Sequence, residues 1–161
     1  MTAKEYNISV DTYADGVYRF VLKNIKNEDK AKDIVQDTFE KLWVKAETVN
    51  YSKVKSYIFT SAYHTMIDYI RKDKRQTIMT EGAELKHSHE KQYSDLSEVL
   101  QEAIDLLPSI QKSVILLRDY EGYNYKEIAD TTKLNESQVK VYIFRARKFL
   151  KNYIGTIETV I

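Results

Sequence analysis

Apolar residues recur at helical spacing through most of the chain, and the recurrences divide it into successive amphipathic segments. Tyr13, Val17, Phe20 and Val21 share one face of a first predicted helix, which meets a polar break from Asn24 to Asp29. Ala31, Ile34, Val35, Thr38, Phe39, Leu42 and Trp43 then follow a 3.6-residue period, so a second helix with these residues as its core face is predicted. Its other side carries Asp33, Asp37 and Glu40, an acidic stripe. After a mixed loop from about Glu47 to Ser52, a third helix is expected from Lys53 to Lys72. Ile58, Ala62, Met66 and Tyr69 form its core face, and Tyr57, Ser61, His64, Asp68 and Arg71 form a second stripe.

From Asp73 to about Lys91 the periodicity disappears, which predicts a flexible, partly acidic linker. A second helical unit is expected from near Tyr93. Leu96, Leu100, Ala103, Ile104 and Leu107 line one face of its first helix, which stops before Pro108. Ile110, Val114 and Leu117 carry the next helix to Tyr120, and Gly122 is its stop signal. Asn124 with Glu127, and Asn135 with Gln138, are capping-box pairs that open two further helices. The first runs from Tyr125 to Thr132, the turn falls at Lys133-Leu134, and the second runs from Glu136 to about Tyr153. In that last helix Val139, Ile143, Ala146 and Leu150 seat one face, leaving Lys140, Arg145, Lys148 and Lys151 free. A short helix, a tight turn and a basic helix form a helix-turn-helix whose second member suits a DNA major groove. The fold class is therefore all-α: a helical domain over 1–75, a linker over 76–92 and a helix-turn-helix domain over 93–161.

Composition narrows the functional classes. One proline and four glycines among 161 residues leave little turn punctuation for a β-rich fold, and 43% hydrophobic residues suffice for packed cores. Cysteine is absent, which removes disulfides and thiolate metal sites and fits a reducing cytoplasm. No apolar run reaches the ~20 residues that span a bilayer, and the start of the chain lacks a signal-peptide core, so a soluble cytoplasmic protein is expected. The net charge of +1 hides strong sorting. Residues 136–151 hold five basic side chains against Glu136, and 69–75 hold four against Asp73. Residues 28–40 carry five acids against two lysines, and 76–107 carry seven against two. Two basic patches between acidic stretches suit two contacts with an anionic polymer and one with a basic partner. His87 and His89 have no third ligand in register and read as solvated, so neither a metal nor a cofactor is expected. No phosphate loop, nucleophile elbow or zinc-protease helix is visible, and no catalytic residue is assigned.

The order of these features resembles the extracytoplasmic-function group of bacterial RNA polymerase sigma factors over nearly the whole chain. Three passages carry the likeness: DIVQDTFEKLW (Asp33 to Trp43), KSYIFTSAYHTMIDYIRKDKR (Lys55 to Arg75) and the stretch from Leu106 to Leu150. The resemblance implies that the first docks on core RNA polymerase, with Asp33, Gln36, Asp37 and Phe39 at the matching positions. Trp43 and Leu42 read as core. It implies that the second opens and reads the promoter's minus-ten element through Tyr57, Ser61, His64, Arg71, Lys72, Lys74 and Arg75, with Asp68 bracing the helix. Unpaired bases offer π-faces to such aromatic and basic side chains. It implies that the third reads the minus-thirty-five element through Ser137, Gln138, Lys140, Val141, Phe144, Arg145 and Lys148. The expected partners are core RNA polymerase, promoter DNA and an anti-sigma factor, with no membrane insertion. In the linker, Glu81, Glu84, Glu90 and Asp95 either mimic RNA charge or are simply solvated.

Five positions depart from the family pattern. Tyr57 stands where tryptophan is common, His64 for asparagine, Lys133 for the turn glycine, Val141 for serine or arginine, and Tyr142 for arginine. Two other readings compete: a helix-turn-helix regulator whose first bundle senses a ligand or dimerises, and an adaptor with no DNA affinity. The regulator has no use for Asp33, Gln36 and Asp37 or for a melting helix.

Overall fold

The computed structural model describes residues 1–79 and 96–160, which among them form seven α-helices and no strand. Helices α1 (Ala3–Ile25), α2 (Glu28–Val44) and α3 (Val54–Met79) pack on one another as a first bundle, with a 3-10 turn at Tyr51–Lys53 leading into α3. Helices α4 (Leu96–Asp105), α5 (Ser109–Ile115), α6 (Tyr125–Thr132) and α7 (Glu136–Val160) form the second.

The boundaries follow local chemistry. Asn124 Oδ1 accepts from the Glu127 N–H at 2.8 Å while the Glu127 carboxylate accepts from the Asn124 N–H at 3.0 Å. Asn135 and Gln138 make the same reciprocal pair at 2.8 and 3.0 Å. Both expected capping boxes are thus formed, and each satisfies two N–H groups left over at a helix start. Lys133, between the two helices, adopts φ 61°, the left-handed conformation that ends α6. Helix α5 continues into a π turn over Leu116–Tyr120, closed by the Glu121 N–H donating to the Leu116 carbonyl at 3.1 Å. Gly122 follows at φ 74°, where an L side chain would be strained.

Three expectations change. Helix α3 runs seven residues past Lys72, to Met79, because Asp73 to Gln76 contain no breaker and Thr77 Oγ1 bonds the Asp73 carbonyl at 2.9 Å. Residues 71–77 are exposed all round, so this tail has no apolar stripe from which a period could be read. The helix α7 likewise continues past Tyr153, to Val160. Leu96, assigned to a core face, is 65% exposed at the first turn of α4. The remaining linker residues lie outside the described residues, including Glu81, Glu84, Glu90, Asp95, His87 and His89.

Each bundle buries its predicted stripe: Val17, Phe20, Val21, Ala31, Ile34, Leu42, Ile58, Ala62 and Met66 in the first, and Ala103, Ile104, Val114, Leu117, Val139, Ile143 and Ala146 in the second. The two stripes merge into one apolar cluster because the bundles pack together. Phe59 of α3 meets Tyr123 edge-on at 4.9 Å, which brings α3 against the entry to α6. Buried Asn24 accepts from buried Ser113 at 3.1 Å, and its own amide donates to the Phe20 carbonyl at 2.8 Å. Hydrogen bonding of both groups removes most of the cost of burying them. Lys112 Nζ donates to the Asn24 carbonyl at 3.3 Å, and burial pushes its pKa down despite the nearby Asp105. Lys55 reaches Glu127 at 3.2 Å and lies 4.0 Å over the Tyr123 ring.

Candidate polymerase and nucleic-acid interfaces

Helix α2 presents one continuous outward face. At about 100° per residue, Asp33, Gln36, Asp37, Glu40, Trp43 and Val44 fall within an arc of roughly 120°. Asp37 pairs with Lys41 at 2.9 Å, and Gln36 Nε2 donates to Glu40 at 3.2 Å, both four residues along the same helix. Asp33, Gln36 and Glu40 are exposed and Asp37 is half-buried. The face begins acidic and ends apolar, because Trp43 is 55% and Val44 81% exposed. This corrects the assignment of Trp43 to the core. Its ring rests edge-on against Tyr6 at 5.0 Å, and the Tyr6 hydroxyl donates to the Phe39 carbonyl at 2.9 Å. Phe39, by contrast, is buried, so its side chain anchors α2 in the bundle. The arc itself held the missed signal, since Trp43 lies only about 80° from Asp33 around the helix.

The outer stripe of α3 is turned away from the second bundle. Phe59 and Lys55 engage Tyr123 and Glu127, whereas Tyr57, Ser61, His64, Asp68, Arg71, Lys72 and Arg75 occupy the opposite side within roughly 100°. Tyr57 and Ser61 are half-buried; His64 and the three cations are exposed. Lys74 lies off this stripe. Extension of α3 to Met79 keeps Arg71, Lys72 and Arg75 on the helix that carries the aromatic groups, one rigid surface of rings and positive charge. Tyr63 is buried behind it, its ring centre 6.1 Å from that of His64, and burial raises the phenol's pKa.

Helix α7 shows the third face. Ser137, Gln138, Val141, Phe144, Arg145 and Lys148 share an arc of roughly 120° opposite the buried row Val139, Ile143 and Ala146. Lys140 stands at its edge, 5.4 Å over the Tyr125 ring, and Arg145 lies 6.0 Å from the Tyr142 ring. Arg147 is on another side, where it grips Asp119 of the π turn at 2.6 Å and fixes α7 to α5. That hydrogen bond raises the guanidinium's pKa further. A shallow depression of about 240 Å³ opens at the start of the face, between Asn135, Ser137, Gln138, Val141, Tyr142 and Arg145.

All three faces remain open in this packing. No helix among the described residues is long and apolar enough to cross a membrane.

Residues 10–76 match the family model of sigma-70 region 2, and residues 97–150 match that of sigma-70 region 4. RNA polymerase sigma factor SigV of Bacillus subtilis is 36% identical over 137 residues, covering 83% of this chain and 81% of the relative. The ECF RNA polymerase sigma factor SigM of the same organism is 30% identical over 147 residues, covering 86% and 88%. Among solved structures, the sigma factor RpoE of Bartonella quintana, in complex with the anti-sigma factor NepR, shares the fold with a TM-score of 0.80. That likeness covers 95% of this chain and 98% of the other, at 24% identity. Two open basic faces, an acidic-to-apolar face and this kinship lead to one conclusion: the chain belongs to the extracytoplasmic-function sigma factors, which direct RNA polymerase to initiate transcription at a subset of promoters.

Proposed function

We propose a division of labour among the three faces. The α2 face, from Asp33 through Gln36 and Asp37 to Trp43 and Val44, docks on core polymerase. Its acids meet a basic surface and Trp43 supplies the desolvated anchor typical of interface hot spots. The outer stripe of α3 holds the separated minus-ten strand: Tyr57 and His64 offer rings to unpaired bases, while Arg71, Lys72 and Arg75 follow the phosphates. Helix α7 enters the major groove of the minus-thirty-five element. In this reading residues 1–75 and 93–161 are the two working domains and 76–92 their connection. The protein acts by binding alone, in the cytoplasm beside its polymerase. An anti-sigma factor is a further partner by analogy with the complex of RpoE and NepR.

The observation that carries the reading is the continuous α2 face, which a plain DNA-binding regulator would not need. Run-off transcription with core polymerase tests it. Asp37→Arg reverses charge at the centre of the face and is expected to abolish initiation while duplex binding through α7 survives. Undiminished initiation by that variant would refute the docking role.

A further inference from the structure

The open face of α7 has an apolar centre. The outermost position, directly opposite buried Val139 and Ile143, is Val141, which is 44% exposed; Phe144 beside it is 67% exposed. Arg145 and Lys148 flank them, and no acidic residue occurs from Ser137 to Lys151. Two apolar side chains are therefore held out in water inside a rim of positive charge, and that rim complements a phosphate backbone and not an apolar protein groove. Valine has neither donor nor acceptor, so it cannot select a base by hydrogen bonding. At the base edges of the major groove, the apolar group available to it is the C5-methyl of thymine. A cytosine amino group or guanine carbonyl placed there would lose its water without gaining a partner.

We propose that Val141, backed by Phe144, reads a thymine methyl in the minus-thirty-five element, so that one position of this promoter class is selected by apolar contact. The proposal rests on the assignment of α7 to that element. Arg145 and Lys148 supply the surrounding polar contacts, and the depression beside Val141 and Tyr142 leaves room for the methyl to enter.

Deoxyuridine differs from thymidine only by this methyl, which makes the test direct. A promoter recovered by run-off from genomic DNA is rebuilt with thymines replaced one at a time by deoxyuridine across the upstream element. It is then transcribed by core polymerase with the full-length chain. At one position the replacement is expected to lower initiation about fourfold, the equivalent of ~0.8 kcal/mol for one buried methyl-sized group. Val141→Ser should remove the difference between the two bases at that position. A flat scan overturns the proposal; if Lys140→Ala and Arg145→Ala still weaken dependence on the element, the assignment of α7 stands without it. If those two variants also change nothing, both readings fall. An equal loss on thymine and deoxyuridine templates with Val141→Ser would also overturn it, and would assign the apolar centre to a protein surface.

Discussion

Arg19 of α1 and Glu121 beyond the π turn, 102 residues apart, form a two-pronged ion pair across the bundles, with Nε and Nη2 donating to the carboxylate at 2.8 and 2.7 Å. The Glu121 side chain is only 5% exposed whereas that of Arg19 is 49% exposed, so the burial falls on the acid. Gly16 makes room for it: a Cβ there would stand 3.2 Å from Glu121 Oε1. Next to the pair, Lys23 lies 3.7 Å over the Tyr120 ring. The end of the π turn therefore presents Tyr120, and Glu121 just beyond it, to α1 while Asp119 holds α7.

On the roles proposed for α3 and α7, this junction has to open on a promoter. Helix α6 touches both α3 and α7, so the axes of those two helices lie about two interhelix spacings apart, roughly 20 Å. Elements centred near minus ten and minus thirty-five are separated by about 25 base pairs, ~85 Å of duplex. Engagement of both requires the bundles to part. Because the chain has no cysteine, Asp11→Cys and Asn152→Cys can carry a dye pair without background labelling. Energy transfer should be high in the free protein and fall when core polymerase and promoter are added. Arg19→Ala should lower it in the free protein, since a buried carboxylate would lose its cation, a loss of about 1–2 kcal/mol after allowance for solvent at the arginine. Glu121→Gln, which strands no charge, should have the smaller effect.

Two aromatic residues four apart on α2 should separate binding from stability. Phe39→Ala empties a buried site and is expected to cost ~3–5 kcal/mol in urea unfolding. Trp43→Ala should leave the unfolding midpoint nearly unchanged but weaken association with core polymerase by roughly tenfold, as removal of an interface anchor does. If Trp43→Ala retains full affinity, the apolar end of the face is not part of the dock.

Lys133 adopts φ 61° in the turn of the helix-turn-helix, a conformation that costs a non-glycine residue ~1 kcal/mol. Lys133→Gly is therefore expected to stabilise the protein and raise its thermal midpoint by roughly 2–4 °C. Calorimetry of the two proteins decides this. A lower midpoint would mean that the backbone entropy of glycine in the unfolded chain outweighs the relieved strain.

The Glu127 carboxyl should make the junction sensitive to acid. Burial alone would raise its pKa, but the hydrogen bond from Asn124 and the Lys55 ammonium outweigh it, and the net value lies below the usual 4.5. A depressed carboxyl contributes stability above its unfolded pKa and loses it as pH falls through the folded value. The midpoint difference between the natural protein and Glu127→Gln should thus be constant above about pH 5 and shrink below pH 4. A difference that does not change with pH would show that Glu127 contributes no charge-dependent stability.

Much of this protein was legible from residues within one or two helical turns of each other. The caps at Asn124 and Asn135 formed as their spacing predicted, and the stripes around Phe20, Leu42, Ile58 and Val139 became core. Capping and amphipathic periodicity act over three or four residues, so the sequence determined the helices, their order, the helix-turn-helix and the sorting of charge into faces. Where such local signals were weak, the reading stopped short. The tail of α3 had no apolar stripe to reveal it, and Trp43, on the edge between two faces, read as core when it is exposed. The tertiary structure alone decided how the bundles meet. Arg19 with Glu121, Asn24 with Ser113 and Phe59 with Tyr123 each join residues 64 or more positions apart. No period or cap links such residues, and they become neighbours only when two separately folded surfaces fit each other in shape and charge.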